Sequence, residues 1–195
     1  MKPHRYPVEQ ITTIGREYQG GISLVIVMIF LVILSVLGVT AMQSSSLGSR
    51  IARNESDRTL AFQAAEAALR DGELDVKNLK ADNTACVAAA AGCRVENISR
   101  GNGFDTSCTL GLCDSRAFTT PVWEDTTRWA TTGASVAYGT YTAAAAIPVV
   151  GQQPRYILEY FPLGDSVVYR ITAVGFGANT STQVMLQSAV KAPPV

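Results

Sequence analysis

The sequence contains no acidic residue between Glu17 and Glu55, and its longest apolar run lies inside this interval. Residues 22–41, ISLVIVMIFLVILSVLGVTA, are apolar apart from two serines, one glycine and one threonine. A helix rises about 1.5 Å per residue, so this run would span the roughly 30 Å hydrocarbon core of a bilayer. A cleaved secretory signal has a shorter apolar region followed by an A-x-A-like site, and no such site follows here. We therefore expect a retained membrane helix.

Basic residues are absent from the same region, because none occurs between Arg16 and Arg50. Lys2, Arg5 and Arg16 precede the apolar run. Positive charge flanking a membrane helix marks its cytoplasmic side. The pattern predicts that the amino-terminal segment lies in the cytoplasm and that the rest of the chain lies outside it.

Histidine is nearly absent, since His4 is the only one, and this excludes Ser-His-Asp or Cys-His catalysis in the remainder of the chain. The sixteen basic residues are scattered and balance sixteen acidic ones, so we expect no direct nucleic-acid binding. Four acidic residues could offer oxygens to calcium, but they lack regular loop spacing: Asp105, Asp114, Glu124 and Asp125. We therefore expect no catalytic residue, no cofactor and no metal site.

The four cysteines, Cys86, Cys93, Cys108 and Cys113, lie within one stretch of the chain in the patterns C-x6-C and C-x4-C. Zinc sites more often show two close C-x2-C pairs or added histidines, and no C-x-x-C redox motif occurs. In an exported domain, an even number of cysteines in a loop-rich segment indicates disulfides. Three pairings are possible. Short loops favour Cys86–Cys93 and Cys108–Cys113.

Residues 43–81 contain no proline and are rich in good helix formers. Their apolar residues recur at mostly helical intervals, which indicates an amphipathic continuation of the membrane helix. We predict one helix over residues 22–81, with 22–42 in the membrane and 43–81 amphipathic, about 90 Å long if unbroken. Gly72 is a weak point at which the helix could end instead, and Asp82-Asn83 is another candidate end.

The remaining sequence divides into a cysteine-containing loop region, residues 82–121, and a region of strands, residues 122–195. Strand patterns cover residues 155–161, 167–176 and 182–190, with 136–141 as a further candidate, and residues 177–181 suit a hairpin connection. Pro154 and Pro162 should bound the first of these strands. In the strand predicted over residues 167–176, Tyr169, Ile171 and Ala173 share one face. The apolar face of an antiparallel sheet would cover the apolar stripe of the helix, so the fold class is α+β.

A glycine pair, a hydrophobic helix, its amphipathic continuation and a globular head resemble a type IV pilin. The match is closer to PilX-type minor pilins, most specifically over residues 53–73, RNESDRTLAFQAAEAALRDGE. RYILEYF, residues 155–161, and YRITAVGFGANTSTQVMLQSAV, residues 169–190, resemble the carboxy-terminal module of that family. The resemblance implies a long helix packed on a carboxy-terminal antiparallel sheet.

The resemblance also implies that residues 1–21 are a prepilin leader, a class III signal peptide. Prepilin peptidase would cut between Gly21 and Ile22, and Ile22 would then be N-methylated. A cut after Gly20 is the alternative. In major pilins the fifth residue after the cut is usually glutamate, which pairs with a neighbouring subunit. Here that position is Ile26, or Val25 under the alternative cut. PilX-type pilins and K-type pseudopilins share this absence and are placed in tip or priming complexes.

The function implied by the resemblance is that of a minor pilin that primes a type IV pilus and sits at its tip, with roles in twitching motility, adhesion and DNA uptake. The implied partners are other minor pilins, the major pilin, a large tip adhesin, prepilin peptidase and the inner-membrane assembly platform. The implied location is the bacterial inner membrane, with the carboxy-terminal domain in the periplasm. Two alternatives stay open: a K-type pseudopilin of type II secretion, and an unprocessed single-pass periplasmic binding protein.

Overall fold

A computed structural model describes residues 21–87, 90–94, 98, 101–130, 133–164 and 166–191, without the side chains of residues 43–46. By its internal contacts the chain divides into two compact units, Met1–Arg50 and Ile51–Val195. The first unit contains the apolar run. The second contains the amphipathic part of the helix and all described strands.

Helix α1 runs over Ile22–Val76, so it continues through Gly72 and ends five residues before the predicted Ala81. The helix ends there because Asn78 adopts a left-handed backbone conformation, with φ of 56°. The N–H of Asn78 donates to the carbonyl of Asp75 at 3.0 Å, and the N–H of Leu79 donates to the carbonyl of Leu74 at 2.9 Å. These two bonds form a Schellman motif, in which asparagine replaces the usual glycine.

The remaining elements are short before residue 155 and longer after it. They are β1 (Leu112–Asp114), α2 (Thr126–Ala130), β2 (Val136–Ala137), β3 (Arg155–Leu163), β4 (Ser166–Phe176) and β5 (Gln183–Lys191). The described strands form one sheet in the order β1-β3-β4-β5, with β2 also paired to β3. All neighbours are antiparallel except β1, which lies parallel to β3. The predicted α+β class is therefore confirmed.

Three details of the predicted sheet differ from the structure. β1 lies within the region that was predicted to be loop, and the candidate strand at residues 136–141 shrinks to two residues because Gly139 turns the chain with φ of 78°. β3 continues through Pro162 to Leu163. β1 pairs with β3 only as far as Tyr160, so Pro162 lies where one edge of β3 is free and its missing N–H removes no bond to β1.

The second unit has apolar side chains packed on both faces of the sheet. Tyr169, Ile171 and Ala173 share one face, as predicted, and pack with Ala68 of α1. The other face is covered by residues from the loops before β2, in a cluster that contains Cys108, Cys113, Val122, Trp129, Ile157, Val174 and Phe176. Because both faces are covered, even Thr172 on the second face is buried.

Small residues bring α1 against the sheet. Ala61, Ala65 and Ala68 are completely buried and recur at helical spacing. A Cβ atom on Gly175 of β4 would overlap the carbonyl oxygen of Ala61 and the amide nitrogen of Ala65. A Cβ atom on Gly72 would lie 2.7 Å from Cγ2 of Ile171. At these two glycines the helix and the sheet therefore lie too close together to admit even a methyl group.

Asp57, a half-buried residue of α1, fixes the helix to the β4–β5 connection. Oδ1 of Asp57 accepts from the N–H groups of Ala178 and Asn179 at 2.6 and 3.3 Å. A hydrogen bond from Thr182, together with these two N–H groups, lowers the pKa of Asp57. The carboxylate of Asp57 thereby satisfies two N–H groups of the hairpin connection predicted at residues 177–181.

We predict that Gly72→Ala lowers the free energy of unfolding of the second unit by about 1–3 kcal/mol, because the added methyl group overpacks the contact with Ile171. Gly48→Ala is the matched control in the same helix, since nothing lies within 4 Å of a Cβ at Gly48. It should be neutral or stabilising by up to about 1 kcal/mol through helix propensity. Thermal unfolding of the full chain in detergent micelles, followed by near-ultraviolet circular dichroism, measures both. A Gly72→Ala variant that melts at or above the wild-type temperature would contradict the contact.

Candidate functional site

The predicted cleavage site lies at the start of the described chain. Ile22 is the first residue of α1 and is 77% exposed. Gly21 directly precedes it with φ of 119°, a conformation that side chains with a Cβ rarely adopt. Residues 1–20, which include Gly20 and the rest of the predicted leader, lie outside the described residues.

The apolar run at the start of α1 is not covered by the protein itself. Its large apolar side chains, Ile26 among them, are all more than half exposed. Ser35 and Thr40 donate their hydroxyl groups to the carbonyls of Leu31 and Val36 at 2.7 and 2.8 Å. These two polar side chains are thus satisfied within the helix, as a lipid environment demands.

Within the described residues, α1 is the one helix that is long and apolar enough to cross a membrane by length and composition. None of its most apolar stretch is buried, whereas the core helix of a soluble protein would be mostly buried. The helix carries no acidic side chain before Glu55. These features fit a single-pass membrane anchor whose apolar surface also remains available to other helices.

The four cysteines form two disulfides. Cys86 is joined to Cys93 with 5.5 Å between the Cα atoms, and Cys108 to Cys113 with 4.2 Å. This is the pairing that the short loops favour. Cys108 and Cys113 are completely buried, and Cys113 lies in β1 opposite Glu159 of β3. The second disulfide therefore fastens its loop directly to the sheet.

A buried ion pair connects α1 to the segment after the first disulfide. Nε of Arg94 lies 2.8 and 2.9 Å from the carboxylate oxygens of Asp75, and the hydroxyl of Tyr156 donates to the same carboxylate at 2.7 Å. The guanidinium also stacks on the ring of Tyr141 at 3.9 Å from its centroid. Burial raises the pKa of Asp75, and the charge of Arg94 opposes this rise. Removing either partner would leave an uncompensated buried charge.

A second buried carboxylate lies one helical turn earlier. Asp71 accepts from the N–H of Gly139 at 2.8 Å and from the hydroxyl of Thr142. Burial raises the pKa of Asp71, and the nearby charge of Asp75 adds to the rise. In the sequence, Asp71 and Asp75 lie four residues apart within a stripe of small residues, a spacing that indicates buried acids. Their partners are distant in the chain and could not be identified from the sequence.

Three of the four acidic residues considered for calcium stabilise local turns. Asp105 accepts from the N–H groups of Ser107 and Thr109, Asp114 pairs with Arg116 at 2.7 Å, and Asp125 accepts from the N–H of Thr127 at the start of α2. Among the described residues, no group of three or more His, Cys, Asp or Glu is placed to hold a metal ion.

We predict that Asp71→Asn raises the melting temperature at pH 7 and that this gain shrinks towards pH 4. A carboxyl group whose pKa is raised by folding favours the folded state below its ordinary pKa of about 3.9, and this contribution is lost as the pH rises through the folded value. Asparagine resembles the neutral form and can still accept from Gly139. Thermal unfolding in detergent at the two pH values measures the effect.

Asp57→Asn is the control of opposite sign. Folding lowers the pKa of Asp57, so its carboxylate stabilises the fold above the ordinary value, and that contribution is lost as the pH falls through the folded one. The variant should melt below the wild type at pH 7, with a smaller difference at low pH. Equal pH dependence for the Asp71 and Asp57 variants would contradict the assignment.

Family comparisons cover most of the chain. Residues 19–70 match the family described as PilX N-terminal, and residues 80–192 match the family described as type IV pilus assembly protein PilX C-term. The second match includes the cysteine region, to which the sequence resemblance did not extend. No curated protein and no solved structure matches the chain. Proteins of this family are structural components of pili, and the chain belongs to the PilX family of type IV pilus minor pilins.

Proposed function

We propose that this minor pilin primes assembly of a type IV pilus and occupies its tip. The observation that carries the proposal is the fully exposed apolar run that begins α1, joined in one continuous helix to a segment buried against a folded domain. An apolar helix whose hydroxyl groups at Ser35 and Thr40 are bonded within the helix can exchange lipid contacts for contacts with neighbouring helices.

The amino terminus of the assembled protein would be created by prepilin peptidase. We propose cleavage between Gly21 and Ile22, followed by N-methylation of Ile22. The positive φ of Gly21 supports this, because only glycine adopts such a conformation readily directly before the helix. The helix would then begin at the new terminus.

The isoleucine at position 26 supports a tip position. A carboxylate inside a hydrophobic bundle is costly unless a neighbouring subunit supplies the opposite charge. The subunit at the end of a filament lacks one of its two axial neighbours, so a carboxylate there would have no partner. Ile26 avoids this cost, and its exposed side chain can still pack against other helices.

The proposed partners are other minor pilins, the major pilin and a large tip adhesin, with prepilin peptidase and the inner-membrane platform acting before assembly. The second unit would lie in the periplasm before assembly, where oxidising conditions permit both disulfides. Twitching motility, adhesion and DNA uptake are the proposed downstream roles. A pseudopilin of a secretion system is the second candidate, because Ile26 suits it equally well.

Processing is tested by co-expressing the full chain with prepilin peptidase and measuring the intact mass and the amino-terminal sequence. We expect a chain that begins at Ile22 and carries one added methyl group. Gly21→Ala should block cleavage, because leaders of the family that the chain resembles end in glycine, whereas Gly20→Ala should be processed. A chain that stays full length, or a Gly21→Ala variant cleaved as well as wild type, would contradict the pilin proposal.

Deletion of the gene separates the pilus from secretion. We expect the number of surface pili to fall sharply while the amounts of secreted enzymes stay unchanged. Gold-labelled antibodies against the second unit should mark pilus ends in the complemented strain. Labelling along the shaft would contradict the tip position, and loss of secretion with normal piliation would favour the pseudopilin.

A further inference from the structure

Among the described arginines between residues 94 and 170, one is not paired with a carboxylate. Four of the five described arginines between residues 94 and 170 contact a carboxylate: Arg94 with Asp75, Arg116 with Asp114, Arg128 with Asp125 and Arg170 with Glu159. Arg155 instead donates from Nε and Nη2 to the hydroxyl and carbonyl oxygens of Ser135, at 2.7 and 2.6 Å. Both acceptors are neutral, so no carboxylate in the described part of the chain compensates the charge.

Arg155 is also half-buried, at the start of β3. Burial lowers the pKa of Arg155, because its surroundings remove water without supplying a carboxylate. An arginine remains charged at any physiological pH, so this cost is present throughout. Arg155 is therefore a partly desolvated cation whose guanidinium is held in place by Ser135.

Arg155 faces an open pocket with a volume of about 200 Å³, enough for an amino-acid side chain. Its wall is mixed, with Leu110 and Tyr141 beside the polar groups of Ser135 and Thr140. The pocket thus offers one cation and a larger apolar surface around it.

Leu110, an apolar residue in the wall of the pocket, has an unusual backbone conformation. Leu110 has φ of 55° and is 43% exposed, and Cys108 beside it has φ of 58°. The Cys108–Cys113 disulfide closes this loop, and Nη1 of Arg94 donates to the carbonyl of Leu110 at 3.1 Å. Leucine rarely adopts left-handed backbone angles, so the disulfide and Arg94 hold an apolar side chain outwards at a conformational cost.

We propose that this pocket receives an acidic side chain of a partner pilus subunit, with its carboxylate paired to Arg155 and its neighbouring atoms packed on Leu110 and Tyr141. The proposal rests on the proposed function in supposing a partner subunit. A partner polypeptide explains the exposed leucine, since a small free anion would gain nothing from it. Arginine and tyrosine beside an apolar contact are typical of the residues that dominate protein interfaces.

Carboxylate binding is tested directly on the full chain in detergent micelles, labelled with ¹⁵N-arginine and titrated with sodium acetate. The Nε–Hε resonance of Arg155, assigned by its loss in Arg155→Lys, should shift saturably, with half-saturation on the order of tens of millimolar for a single charged contact. Arg116, already paired with Asp114, is the internal control and should not shift. No shift at Arg155, or an equal shift with sodium chloride at the same ionic strength, would overturn the site.

The partner is tested by piliation in a strain that produces only the variant chain. Arg155→Glu should lower the number of pili at least tenfold, because two carboxylates would then face each other, while Arg155→Lys should retain much of the wild-type number. Arg116→Glu, an exposed charge reversal outside the pocket, should be close to wild type. If Arg155→Glu lowers the amount of protein in the membrane, Arg155→Gln takes its place, since it keeps a donor for Ser135 and still removes the charge.

The two arms separate the possible failures. Acetate binding together with full piliation of the charge-reversed variant would mean that the pocket takes a free anion, which overturns the partner proposal. A deletion strain with normal pili would contradict the proposed function, while the acetate titration would still decide whether the site binds carboxylates.

Discussion

The structure depends on one close contact, in which Gly175 of β4 lies against the backbone of α1 at Ala61 and Ala65. No side chain separates the helix from the sheet at this point. Because the alanines are completely buried, the contact fixes both the distance and the register of the helix on the sheet. The first part of α1 is apolar on all sides, and its second part packs against the sheet of the folded domain.

The buried charges follow from this placement. A helix lying close to the sheet carries Asp71 and Asp75 into the interior, where each must find partners or lose stability. Asp75 pairs with Arg94 and accepts a hydrogen bond from the hydroxyl of Tyr156, and Asp71 accepts from the N–H of Gly139. The cysteine region is thus tied to α1 by an ion pair as well as by its own disulfides. Arg155, by contrast, is half-buried and has no described carboxylate partner. These two properties make it a candidate binding residue.

The long elements could be predicted from the sequence because their signals are local. The apolar run and strands β3–β5 have clear periodicity, and the alternation of Tyr169, Ile171 and Ala173 identified the face that α1 covers. The end of α1 was predicted too far along the chain. Asn78 gives no clear stop signal in the sequence, but it adopts the left-handed conformation that ends the helix. β1 was missed because three residues have no period, and its parallel partner lies far along the chain.

The central claim is that α1 has two separable roles. Its apolar first part is proposed to act in assembly, and its second part holds the domain together by close packing against β4. The most direct measurement compares Gly175→Ala with the wild type by thermal unfolding and by amino-terminal processing of the same sample. The account predicts that the cooperative unfolding transition of the domain is lost or strongly lowered, since the added methyl group meets helix backbone that cannot move aside, while processing before Ile22 continues. A variant that unfolds at the wild-type temperature would contradict it.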